Sequence, residues 1–232
     1  SARYEEKVLG KIAKVLLLSE ADIVDMKEKF SLGNLACTPY GVEQIDPSKL
    51  VPFEGRENSI IFSGNMFHPP NVDAAIFLLE DIFPLIIKQH PYAKLWIVGA
   101  NPVRRIYKSA EKYGENVVIT GRVDDIARYI GHSTVSICPV RLKIGVQTKV
   151  LEALSWATPV VTTSAGNSGI NAEPGQHLWV EDSPGMLAKR VCDLLAGRDW
   201  SRLSTQGRQF ALDNFSWEGS VERLQQQLNS LE

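Results

Sequence analysis

The residues best suited to chemistry lie between Pro139 and Val161, in the stretch PVRLKIGVQTKVLEALSWATPVV. The apolar run Val135-Ser136-Ile137-Cys138 enters it and reads as a buried strand. A loop with Arg141, Lys143 and Gly145 follows, then Gln147 and Thr148 at the start of a helix. Lys149 and Glu152 stand three residues apart on that helix, and a second strand is expected over Pro159–Thr162. The helix start offers unpaired backbone N–H groups and the positive end of the helix dipole, and both favour phosphate. Glu152 sits about one turn further in. That position suits hydrogen bonds from sugar hydroxyls better than contact with phosphate. Cations for a diphosphate and a carboxylate for a ribose are what a nucleotide-sugar site requires.

Other strand ends are needed to build such a site. Ile61-Phe62 leads into Ser63-Gly64-Asn65-Met66, then into His68-Pro69-Pro70-Asn71, where a helix begins. Trp96-Ile97-Val98 leads into Gly99-Ala100-Asn101, and Val118-Ile119 into Thr120-Gly121-Arg122-Val123. Glycine lets a backbone approach a ligand closely, although a glycine such as Gly99 after a strand is common in any α/β protein. Strands are expected at 15–19, 34–38, 59–63, 94–98, 116–120, 134–138, 159–162 and 177–180. Helices are expected at 20–30, 71–89, 102–113, 124–131 and 147–157, then at 184–196, 200–215 and 217–231 without strands between them. Strands alternating with helices, apolar on both faces, predict an α/β fold: a doubly wound, Rossmann-like parallel sheet with helices on both faces and extra C-terminal helices. Ligands bind such sheets at the carboxyl ends of the strands.

Composition narrows the function. The chain has 232 residues, 44% hydrophobic and 22% charged, enough for one large core. A net charge of −2 points away from a nucleic-acid partner. Cys37, Cys138 and Cys192 lack metal-ligand spacing, and no Asp-x-Asp pair is present, so no metal and no cofactor are expected. Buried thiols and the lack of a spanning apolar run or signal peptide suit the cytoplasm. Residues 1–14 read as an amphipathic helix or linker from a missing N-terminal half, and 15–232 as the ligand-binding domain. The chain is thus expected to be a fragment cut near an interdomain linker. The segment Ile45–Asn58 reads as an exposed connection.

Several residues read as structural. His68 lies in a turn beside two prolines, and His90, His132 and His177 are scattered. Asp124-Asp125 reads as a helix cap and first-turn acids. Trp156, Trp179, Trp200 and Trp217 read as packing residues. Ser164–Gly169 is glycine-rich without the lysine of a P-loop and reads as a flexible loop beside the ligand.

The ordered set Val15–Asp22, Pro39-Tyr40-Gly41-Val42, Phe62-Ser63-Gly64, Trp96-Ile97-Val98-Gly99, Gly121-Arg122-Val123, Gly145, Lys149, Glu152-Ala153-Leu154 and Thr158–Val161 resembles the C-terminal, donor-binding half of GT-B glycosyltransferases. It resembles the large retaining family of glycogen and sucrose synthases, and His68–Ala75 is most similar to bacterial exopolysaccharide-type sugar transferases. The resemblance implies a nucleoside diphosphate sugar as donor and polysaccharide biosynthesis. Its donor-binding residues would be Gly64, Asn65, Gly121, Arg122, Val123, Arg141, Gly145, Gln147, Thr148, Lys149 and Glu152, with no catalytic residue assigned. It also implies a sugar or lipid-linked acceptor, held by the missing half, and peripheral membrane contact through that half. Three positions depart from the family pattern. Ile144 stands where the first of two glutamates is usual, and Asn65 and Pro70 stand where an arginine and a lysine hold the diphosphate. Arg141 and Lys149 would then supply the charge. Two alternatives are a nucleotide-sugar epimerase of the same architecture and a non-catalytic nucleotide-sugar-binding subunit.

Overall fold

A computed structural model describes residues 2–143 and 145–231. Its centre is a six-stranded parallel sheet. The strands are β3 (Glu57–Ser63), β4 (Lys94–Val98), β5 (Val117–Gly121), β6 (Ser133–Cys138), β7 (Val160–Thr162) and β8 (Trp179–Val180), in the order β5-β4-β3-β6-β7-β8. The chain starts in the middle at β3, winds outward to β5, then returns to lay β6 against the other side of β3. The direction of winding therefore reverses between β3 and β6, which is where an open α/β sheet forms a ligand crevice. Ile60, Ile61, Phe62, Leu95, Ile97, Val135 and Ile137 are fully buried, so the central strands are covered on both faces as their sequences predict.

Helices cover the sheet: α3 (Pro69–Phe77), α4 (Phe83–Gln89), α5 (Arg104–Ala110), α6 (Ile126–His132), α7 (Thr148–Ser155), α8 (Ser164–Asn167) and α9 (Pro184–Leu195). α3 and α4 were expected as one helix. A wide turn over Leu78–Ile82 joins them, in which Phe83 N–H reaches Leu78 O. Pro84 has no N–H to give and disturbs the regular ladder there. Asp125 caps α6 through its side chain, as expected. The Ser164 segment, expected as a loop, is the short helix α8, capped by Thr163 Oγ1 at 3.0 Å from Gly166 N. α10 (Trp200–Phe215) and α11 (Trp217–Asn229) follow.

Strands β1 (Val15–Leu17) and β2 (Leu35–Cys37) form a separate two-stranded parallel sheet with α2 (Glu20–Lys29), preceded by α1 (Ala2–Leu9). The sequence places both strands in one continuous alternation from residue 15, whereas the central sheet begins at Glu57. The burial pattern matches the separation: β1 exposes Leu16 and is only partly covered elsewhere, without the two buried faces of an inner strand. The connection at 45–58 is partly exposed, but it hides Arg56. That guanidinium donates to Val51 O, Ser133 O, Thr158 Oγ1, Trp156 O and Ala157 O over 2.7–3.2 Å and lies on the Trp200 ring. It ties the entry of β3 to the C-terminal end of α7. Burial pulls its pKa down to about 10.

Candidate functional site

Three strand ends are laced together beside the β3–β6 reversal. Gly64 N–H bonds Val98 O at 3.0 Å, Gly99 N–H bonds Gly121 O at 3.0 Å, and Met66 N–H bonds Ala100 O at 2.8 Å. Gly99 has φ +145°, and a Cβ there would stand 1.7 Å from Gly64 O, so this crossing requires glycine. Above it lies Lys149, from the first turn of α7. Its Nζ donates to Asn71 Oδ1 at 2.6 Å and sits 5.3 Å from the centre of the Phe62 ring. A Cβ on Gly64 would come within 3.3 Å of that nitrogen, so the bare backbone leaves room for the ammonium. Gly64, Asn65 and Lys149 are thus brought together. The Asn65 side chain is turned into its own loop, where Oδ1 accepts Phe67 N–H at 3.1 Å, and Asn65 O accepts Asn71 Nδ2 at 3.1 Å.

Arg141 is placed differently. Its Nε and Nη2 grip both oxygens of Asp73 at 2.9 and 2.5 Å, and the guanidinium lies 4.7 Å from the Phe77 ring centre. Each group perturbs the other: the pairing holds the Asp73 carboxyl below the usual range and raises Arg141. Its charge is already answered by a carboxylate, while that of Lys149 meets a neutral amide.

Glu152 lies on α7, one turn after Lys149, and faces a cleft of about 290 Å³ walled by Tyr40, Val42, Ile126, Ile130, Trp156 and Trp217. Burial raises its carboxyl above the usual range, and the charge of Lys149 opposes part of that rise. Trp217 is half-exposed and forms this wall, with its ring over Gly41 and 5.8 Å from Tyr40; it packs and lines at once. Gly121, Arg122 and Val123 lead into the wall that α6 provides, and Val123 packs on the core below. Gln147 is buried at the head of α7, with its Oε1 4.0 Å from Cys138 Sγ. Thr148 opens α7. Gly145 adopts φ +59°, and a Cβ there would stand 4.0 Å from the Asp22 carboxylate. Ile144 lies outside the described residues.

Sequence reasoning does not single out Asn71 and Asp73, which hold the two cations. The signal is present as two short polar residues just inside a helix that His68-Pro69-Pro70 starts, but nothing local says which side chains they meet. No helix among the described residues is long and apolar enough to cross a membrane.

Comparison with known proteins agrees with this architecture. A protein of the cps region of Klebsiella pneumoniae, of 44.6 kDa, is 27% identical over 195 residues, covering 82% of this chain and 49% of that protein. The structure superposes on Staphylococcus aureus TarM, solved with UDP and α-GlcNAc-glycerol, with a TM-score of 0.82 at 18% identity over 98% of this chain and 46% of TarM. It superposes on Anabaena HepE, solved with UDP-glucose, with a TM-score of 0.75 at 14% identity over 99% of this chain and 66% of HepE. The chain therefore spans about half the length of the curated relative and less than two thirds of these structures. The expected fold, the Rossmann-like domain of the GT-B glycosyltransferases, is the one found. The family of group 1 glycosyl transferases matches residues 57–197, from the first central strand to the end of α9, and the chain belongs to that family.

Proposed function

We propose that this chain is the donor-binding half of an enzyme that moves a sugar from a nucleoside diphosphate sugar to a hydroxyl acceptor. One observation carries the reading. A single helix, α7, sets Lys149 over the laced glycine turns and Glu152, one turn later, against the neighbouring cleft. The diphosphate lies against Lys149 and the N-terminus of α7, the ribose hydroxyls meet Glu152, and the base enters between α6 and Trp217. As the bond to the sugar breaks, negative charge grows on the departing diphosphate, and a preplaced ammonium and helix dipole stabilise it. The resemblance implies transfer with retention of configuration. The UDP in the TarM and HepE structures supports a uridine nucleotide, and the cps-region relative supports polysaccharide biosynthesis. Leu16, Leu18 and Val24 expose apolar surface around the small sheet, which suits a seat for the acceptor-binding half.

Calorimetric titration with UDP, ADP and GDP tests the reading. Saturable binding of at least one, lost in Lys149→Ala, is expected; no binding of any refutes it. A second reading, a nucleotide-sugar-binding subunit without transfer, is favoured by the tie of Arg141 to Asp73. Release of nucleoside diphosphate from a nucleotide sugar by the full-length enzyme separates the two.

A further inference from the structure

Lysine carries its charge on a flexible stem, so a phosphate-binding lysine needs something to aim it. Here Asn71 does so, and it is itself held. The residue is buried at 7% exposure, its backbone N–H bonds His68 O at 2.9 Å, and its Nδ2 bonds Asn65 O at 3.1 Å. Those bonds orient the amide: Nδ2 faces a carbonyl, so Oδ1 faces the ammonium at 2.6 Å. Turned the other way, it would set Nδ2, a donor, against the ammonium and Oδ1, an acceptor, against the Asn65 carbonyl. Two residues along α3, Asp73 grips Arg141 with a carboxylate. The first turns of one helix thus handle two cations in opposite ways. The carboxylate cancels the charge of Arg141, whereas the amide adds none beside Lys149.

We propose that Asn71 is a positioning residue for the diphosphate: it aims the Lys149 ammonium over the Gly64 turn and, being an amide, leaves that charge to the ligand. The proposal rests on the reading of Lys149 as the phosphate-binding cation. It gives the departures at Asn65 and Pro70 a physical sense. The cation comes from α7 across the crevice, and α3 supplies the neutral support that aims it.

The test uses UDP and uridine as probes on the parent chain, Asn71→Ala, Asn71→Asp, Lys149→Met and the double variant Asn71→Ala/Lys149→Met. Asn71→Ala should weaken UDP about tenfold, the scale of one hydrogen bond to a charged group. Asn71→Asp keeps the shape but neutralises the ammonium and repels the ligand, so it should weaken UDP more than Asn71→Ala does. Uridine, which has no phosphate, should bind all variants alike. In the Lys149→Met background Asn71→Ala should add less than about twofold, because the two residues act as one unit. Equal losses for UDP and uridine, a full Asn71→Ala effect without Lys149, or Asn71→Asp matching the parent would each overturn the proposal. A spectroscopic measurement, made without and with UDP, separates this inference from the reading beneath it. The Lys149 ammonium should give a slowly exchanging proton signal in NMR that Asn71→Ala abolishes. If UDP leaves that signal unmoved in the parent, Lys149 is not the phosphate cation and both ideas fall. If UDP shifts it but Asn71→Ala changes neither signal nor affinity, only the positioning role falls.

Discussion

Replacing Glu152 with Gln should weaken ligand binding and strengthen the fold, and the two effects have one cause. Burial raises the Glu152 carboxyl above the usual range, and the nearby charge of Lys149 only partly counters that. A carboxylate in the unfolded chain titrates at about 4.3. With the folded value above the unfolded one, the folded state holds the proton more tightly between the two. Stability is therefore full below the unfolded value and falls as pH rises through the folded one. Glutamine does not titrate. Its advantage over the parent should grow from about pH 4 upward and level off once Glu152 is ionised. Binding should move the opposite way. A carboxylate accepts from two ribose hydroxyls, whereas the amide offers one oxygen and two donors. The loss of a charged hydrogen bond is worth about 1.5–3 kcal/mol, or about 10- to 150-fold in affinity. Thermal melts from pH 3.5 to 8 read the first effect. Titration with UDP and with its 2′,3′-dideoxy analogue reads the second, and the analogue should not distinguish parent from variant. A variant less stable than the parent at neutral pH, or one that weakens both nucleotides equally, would refute the reasoning. Glu152 would then be a helix residue paired with Lys149, a role worth only about 0.2–0.5 kcal/mol.

Arg141→Ala should lower nucleotide affinity far less than Lys149→Ala, because Asp73 already answers its charge; its half-exposed ion pair should cost the fold only about 0.2–1 kcal/mol in urea unfolding. Arg56→Met removes the donor to four carbonyls and Thr158 Oγ1, at about 1–3 kcal/mol for each buried acceptor left unpaired, and should lower the urea midpoint while nucleotide affinity measured on the folded protein stays unchanged. Gly64→Ala places a Cβ 2.8 Å from Asn71 Nδ2 at a backbone φ of +150°, so it should cost the fold about 1–3 kcal/mol in thermal melts and weaken UDP more than uridine.

The fold was legible because its signal is local and repeated. Runs such as Leu-Trp-Ile-Val alternate with helical patterns, and a strand buried on both faces has no polar face to confuse the reading. β4 was placed residue for residue, and the helix ends at Gln89, Phe215 and Phe30 to within one residue. The misplaced elements have two causes, one distant and one local. β1 and β2 have strand sequences, but only the tertiary structure shows that they pair with each other and not with β3. The wide turn at Leu78–Ile82 follows from one missing N–H at Pro84, which the apolar periodicity on either side conceals. Within the site, the sequence could name charges but not their neighbours. Arg141 and Lys149 look equivalent as letters in one loop–helix stretch. They differ because α3 brings a carboxylate to one and an amide to the other across the crevice, from about 70 residues earlier in the chain.

That difference bears on how such a site changes over time. A diphosphate needs positive charge at one place in space and not at one place in the sequence, since Coulomb attraction is indifferent to which element delivers the ammonium. On the proposed reading, a cation delivered from α7 stands over the Gly64 turn, provided something fixes its long reach. An acid in that role would fix the lysine but cancel it, and an apolar residue would spare the charge but leave the stem free. Asparagine at position 71 satisfies both demands, and it can do so because Asn65 O occupies its amide nitrogen. Asn65 meets Asn71 through its backbone carbonyl, for which side-chain identity matters little. An arginine placed at position 65 would accordingly compete with Lys149 for the space above Gly64. Asn65→Arg should therefore gain little UDP affinity in the parent and more in Lys149→Met, where that space is uncharged. Equal gains in both backgrounds, measured by titration, would show that the two positions reach different parts of the ligand.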